Sequence, residues 1–78
     1  MELKDTVDSM LSDSYIERFK AEYYQTQIRY YKLRKVIENY QEIGVDKSRL
    51  PLLKYQAEIM GEYLFILSER AKAEKVEL

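Results

Sequence analysis

The sequence has 78 residues, with 13 lysines and arginines against 14 aspartates and glutamates, a net charge of -1, and neither cysteine nor histidine. Without cysteine there is no disulfide framework or thiolate metal site, and without histidine the commonest metal ligand and general base are gone. The length allows one domain, the charge argues against a general nucleic-acid binder, and a helical chain this short buries too little surface to be stable unless copies of it associate.

Met1-Glu2-Leu3-Lys4-Asp5 lacks the apolar run of a signal peptide, and no stretch is long and apolar enough to span a bilayer, so a cytoplasmic protein with no membrane partner is expected. Leu3, Val7 and Met10 fall on one helical face and predict a short amphipathic helix over residues 2–11. Ser12-Asp13-Ser14 follows, with side-chain oxygens suited to a helix N-cap, and Ser14 with Glu17 has capping-box spacing. A long helix is predicted over residues 14–42, its apolar seam running Ile16, Phe19, Tyr23, Thr26, Tyr30, Leu33, Ile37 and Tyr40 in steps of three and four.

Ile43 to Ser48 reads as the connecting loop, where Gly44 can take the left-handed conformation that ends a helix and Asp46 or Ser48 can cap the next. Pro51 fits a first helical turn. The second long helix is predicted over residues 49–75, with the seam Leu50, Leu53, Ala57, Met60, Leu64, Leu67 and Ala71. The expected fold is a single all-α domain over residues 1–78: a short N-terminal helix followed by an antiparallel hairpin of two long helices, assembling into a helical homo-oligomer.

The oligomer follows from surplus apolar rows. Leu52, Ile59, Tyr63 and Ile66 form a second line on the last helix, and Tyr24, Ile28 and Tyr31 a second line on the first. One hairpin needs one seam, and a folded-back N-terminal helix offers only Leu3, Val7, Met10 and Leu11, too little for both rows.

No nucleophile, base and orienting group share a helical face, so the residues argue against an enzyme and call for no metal or cofactor. Glu58, Glu62 and Glu69 read as solvated charges. Binding chemistry is better represented. Eight tyrosines offer flat apolar faces with polar tips, suited to subunit interfaces and to stacking on bases; Tyr23, Tyr30 and Tyr40 lie on the seam, and Tyr24, Tyr31 and Tyr63 on the second rows. Tyr15 stands in the first turn after the Ser12-Asp13-Ser14 cap, where free amides and the helix dipole favour an anion, and where it could equally staple the N-terminal helix in place. Arg18, Gln25, Arg29 and Lys32 run down one side of the same helix, opposed on that face only by Glu22; they read either as a solvated face or as donors tracking phosphate oxygens.

Glu17-Arg18-Phe19, Glu22, Arg29-Tyr30, Lys32-Leu33 and Val36-Ile37, then Leu52-Leu53, Gln56, Met60, Tyr63, Leu67 and Arg70, resemble the pattern of small phage-encoded helical proteins, among them a group related to a crAss-like phage protein. The same outline is similar to the phage anti-CBASS sponge family, which sequesters cyclic oligonucleotide immune signals. The resemblance covers about residues 14–71, and Leu-Leu-x-x-Gln-x-x-x-Met-x-x-Tyr at 52–63 is its most distinctive part. It implies a compact assembly of hairpins, a hexamer built from dimers, that binds cyclic di- or trinucleotides without cleaving them. Carried onto this chain, Tyr15 would stack on a base, Arg29 would meet the phosphates where the pattern has lysine, and Arg70 would serve a second pocket. Thr26 and Val36 depart from the pattern, which usually has a leucine and an aromatic there.

Together these readings give an anti-defence sponge of the infected bacterial cytosol, binding cyclic oligonucleotides or a cyclic ADP-ribose-type signal through Tyr15, Arg18, Arg29, Lys32 and Arg70. The alternative is a protein–protein interaction module, a phage adaptor or inhibitor that lays its surplus rows against a host protein.

Overall fold

The structure, a computed structural model, describes residues 1–78, and every regular element is helical. A 3₁₀ turn over Leu3–Thr6 leads into α1 (Val7–Met10). The long helix α2 (Tyr15–Glu38) is followed by the single turn α3 (Tyr40–Ile43), and a 3₁₀ turn over Lys47–Arg49 runs into the second long helix, α4 (Leu50–Ala73). The chain is thus all-α, with a short N-terminal helical segment ahead of a long hairpin.

Local chemistry sets these boundaries. The Ser14 hydroxyl accepts the Glu17 amide at 3.3 Å and starts α2 where the cap residues predict. The continuous helix expected over 14–42 breaks at Asn39, whose backbone amide still makes the last helical bond to the Lys35 carbonyl at 3.0 Å while its side-chain amide donates to the same carbonyl at 3.0 Å and its φ of -115° and ψ of 28° leave the helical region. Asparagine offers the backbone this local alternative to the helix ladder. The chain then turns at Gly44, φ +88°, with the Val45 amide bonded back to the Tyr40 carbonyl at 2.8 Å in a Schellman motif.

The N-terminal segment departs from the single helix expected over 2–11. The Thr6 hydroxyl donates to the Leu3 carbonyl at 2.7 Å, which favours the tighter 3₁₀ turn, and Thr6 is the residue this segment buries. Of Leu3, Val7 and Met10, expected to form its apolar face, Leu3 is half-buried and Val7 and Met10 are exposed, as is Leu11. The segment folds back along α2 as a strap. Ser12 lies by Arg18, Met10 by Gln25 and Glu2 by Lys32, and Ala21 is buried.

Between the long helices the register is antiparallel: Phe19 packs with Leu67 and Ala71, Glu22 meets Tyr63, and Tyr30 lies across Gly61. A methyl group at Gly61 would stand 3.3 Å from the Tyr30 hydroxyl, a tight contact that the tyrosine side chain would have to yield to by a few tenths of an ångström.

The core is thin. Seven residues of the chain are buried, and one large side chain, Leu67, is fully so. The accessible surface is 5937 Å² for a mass of 9.4 kDa, whereas a compact chain of that mass exposes about 5,000 Å². The dimensions, 42 × 25 × 14 Å, leave no depth for another layer over the outer face of α4. On that face Leu52, Tyr55, Ile59, Tyr63 and Ile66 form an exposed apolar row, Leu52 at 78% and Tyr55 at 63%. The strap covers one side of α2; nothing in the chain covers this row.

Candidate functional site

At the open end of the hairpin, the first turn of α2 meets the last turn of α4. Phe19 is buried there, and the Arg70 guanidinium lies over its ring at 4.8 Å, a cation–π contact that anchors the arginine head at this junction. Tyr15, one turn before Phe19 on the same face, brings its hydroxyl to the edge of the guanidinium, and Arg70 Nη2 donates to it at 2.7 Å. The Tyr15 hydroxyl donates in turn to Glu74 Oε1 at 2.8 Å, and Arg70 Nε donates to Glu74 Oε2 at 3.3 Å. Three side chains therefore close a ring of hydrogen bonds around one carboxylate. The hydrogen bond to Glu74, followed by partial burial, raises the Tyr15 phenol above its ordinary pKa, against the attraction of Arg70.

Val76 packs beside this ring, against the cluster of Phe19, Leu67 and Ala71. Its amide donates to the Ala71 carbonyl at 2.8 Å, and the intervening Lys75 takes a left-handed φ of 58°. A second Schellman turn thus folds the tail onto the core and holds Glu74 in place. One turn further along, Tyr63 donates to the Glu22 carboxylate, and that bond, with burial second, raises the Tyr63 phenol as well.

The five residues singled out in the sequence divide among three places. Tyr15 and Arg70, 55 positions apart, are in direct contact. Arg29 lies on the opposite stretch of the hairpin, in a groove of about 480 Å³ with Thr26, Leu33, Gln56 and Met60. Arg18 and Lys32 face the strap: Arg18 donates to the Ser12 carbonyl at 2.8 Å and lines a recess with Met10, Glu22 and Gln25, while Lys32 pairs with Glu2 at 3.6 Å. The stripe from Arg18 to Lys32 is therefore crossed by the N-terminal segment, which engages Arg18, Gln25 and Lys32 and leaves Arg29 free of it. Glu74 and Phe19 were not read from the sequence as parts of a site. The one local signal was the four-residue spacing of Arg70 and Glu74.

The family model named Sequestin matches residues 13–73, which takes in α2, the loop and all of α4. The chain belongs to the Sequestin family. Curated proteins and solved structures give no match. The Sequestin match holds Tyr15, Arg18, Arg29, Lys32 and Arg70, and it stops one residue short of Glu74.

Proposed function

We propose that this Sequestin-family chain is a non-enzymatic sponge. It binds a cyclic di- or trinucleotide, or a cyclic ADP-ribose-type signal, and holds it intact in the cytosol of a phage-infected bacterium. The family name denotes sequestration, and sequestering needs affinity and abundance, with no catalytic group. The observation that carries the reading is the Tyr15–Arg70 junction: an aromatic face beside an arginine head seated on Phe19, the pair of groups that stacking on a base and gripping a phosphate require. Arg29 in its groove supplies a second cation, and Arg18 and Lys32 join it where the strap yields.

The sponge works as a homo-oligomer, a dimer or a hexamer built from dimers. Its support is the uncovered row Leu52, Tyr55, Ile59, Tyr63 and Ile66 and a surface ~900 Å² larger than that of a compact chain of this mass, close to one partner's share of a standard interface. Ile59→Asp is expected to give smaller assemblies with unchanged helicity.

Native mass spectrometry with cyclic di- and trinucleotides and cyclic ADP-ribose isomers tests both parts. The expected result is an oligomer carrying ligand that heating releases intact, with binding lost in Arg70→Glu or Arg29→Glu and the assembly kept. Failure of every ligand in the panel overturns the sponge. The exposed row also favours the second reading, a module docking on a host protein, and a nucleotide-free monomer that recovers one defined host protein would select it.

A further inference from the structure

The Glu74 carboxylate sits where an anion bound by Tyr15 and Arg70 would sit. Its two oxygens take the Tyr15 hydroxyl at 2.8 Å and Arg70 Nε at 3.3 Å, the donors an incoming phosphate would use. The i,i+4 pairing with Arg70 favours Glu74 only weakly at this half-exposed position, and the helix end works against it. Glu74 caps the C-terminal end of α4, where unpaired carbonyls and the negative pole of the helix disfavour an acid. It is held there by a turn that places a lysine, Lys75, in the left-handed region, a conformation costly for any residue with a Cβ. Val76, seated against Phe19, Leu67 and Ala71, fixes that turn. The contact is thus built from the tail, outside the stretch 13–73 that matches the family.

We propose that Glu74 is an internal competitor that decides which anions the Tyr15–Arg70 site admits. The tail carboxylate fills the site in the free protein, and a ligand binds there by displacing it. A single weakly held negative charge gains nothing over the carboxylate already in place. A ligand carrying several phosphate oxygens and a base to stack gains the phosphate contacts and the aromatic face of Tyr15 together. Glu74 thereby lowers affinity for ordinary cellular anions more than for the ligand. The inference rests on the reading of Tyr15 and Arg70 as an anion site, and its test is separable from the identity of the sequestered signal.

The substitution is Glu74→Gln, which keeps the size and removes the charge. Inorganic pyrophosphate, measured by calorimetry at low salt, is the probe, and the ionisation of Tyr15 is followed by NMR in protein labelled at tyrosine and assigned through Tyr15→Phe. The expected results are a Tyr15 phenol that ionises at lower pH in Glu74→Gln than in the parent, and pyrophosphate affinity raised about threefold to tenfold, the size expected when a half-exposed charge-assisted contact no longer competes. Unchanged Tyr15 ionisation overturns the proposal by removing the contact. A lowered Tyr15 ionisation with pyrophosphate affinity unchanged or reduced overturns it too, since Glu74 then orients the site without competing for it, and so does the absence of pyrophosphate binding in both proteins.

The same two proteins, taken through the cyclic-nucleotide panel, separate this result from the sponge. Cyclic nucleotide bound by the parent with no pyrophosphate effect in Glu74→Gln removes the competitor and keeps the sponge. Tighter pyrophosphate binding with no cyclic nucleotide bound keeps the competitor and removes the sponge.

Discussion

At the loop end of the hairpin Gly44 takes a φ of +88°, and the Val45 amide reaches the Tyr40 carbonyl at 2.8 Å; at the open end Lys75 takes +58°, and the Val76 amide reaches Ala71 at 2.8 Å. The same left-handed turn is made once by a residue with no Cβ and once by a residue that pays for it. The loop end has only to reverse the chain, and glycine does that without strain. The open end also holds Glu74 between Tyr15 and Arg70 and seats Val76 on the core, and those contacts keep a lysine in a conformation it otherwise avoids. Strain of this kind persists where surrounding contacts over-determine the backbone.

Breaking the core beneath the open end gives the largest expected effect. Leu67 is 0% exposed and packs with Phe19 and Ala71, so Leu67→Ala should cost about 2–5 kcal/mol in urea unfolding. In so thin a core that cost removes most of the cooperative transition. A loss below ~1 kcal/mol would mean that the open end is not the packed end.

The two turns provide the next contrast, because their substitutions should have opposite signs. Gly44→Ala forces a Cβ into the left-handed region with nothing nearby to accommodate or resist it sterically, and should destabilise by about 1 kcal/mol or more. Lys75→Gly relieves the same strain and should stabilise by ~0.5–1 kcal/mol, less than the strain itself because glycine also frees the unfolded chain. Two substitutions of like sign would show that the turn geometry is not shared in solution.

The loop end was the more legible of the two in the sequence. Gly44 among turn residues marks the chain reversal itself, and it is a local signal like the Ser14 cap at the open end and the heptad seams of both long helices, each acting within a few positions of where it is read. Asn39 was not legible as a break, since an asparagine on a helix surface is often tolerated and the competing bond to Lys35 becomes apparent only with the backbone in place. Thr6 took the burial expected for Val7 and Met10 because the strap's own hydroxyl bond tightens it into a 3₁₀ turn. Tyr15 and Arg70 were each visible as candidates, yet their contact depends on the antiparallel register of two helices, and Glu74 needs a turn beyond the seam as well. The basic stripe was legible as a stripe; its partition by the strap was not, because that depends on which side of α2 the strap folds across.

The smallest effects separate the two ends by pH. At the open end the bond to Glu74, with burial second, raises the Tyr15 phenol. Its contribution to stability is complete below the unfolded value of about 10 and is lost as pH rises through the raised folded value. At the loop end the Ser48 amide and hydroxyl, bonded to Asp46, hold that carboxyl below its ordinary value. Its contribution is present above about 3.9 and is lost as pH falls through the depressed folded value. Tyr15→Phe should therefore flatten the alkaline limb of a plot of Tm against pH and leave the acid limb in place, with Tyr63 keeping part of the alkaline slope through its own bond to Glu22. Asp46→Asn should flatten the acid limb alone. Exchange of these two outcomes, or a single substitution altering both limbs, would mean that the ends are coupled through the hairpin, and the tail could then no longer be treated as a device confined to the Tyr15–Arg70 junction.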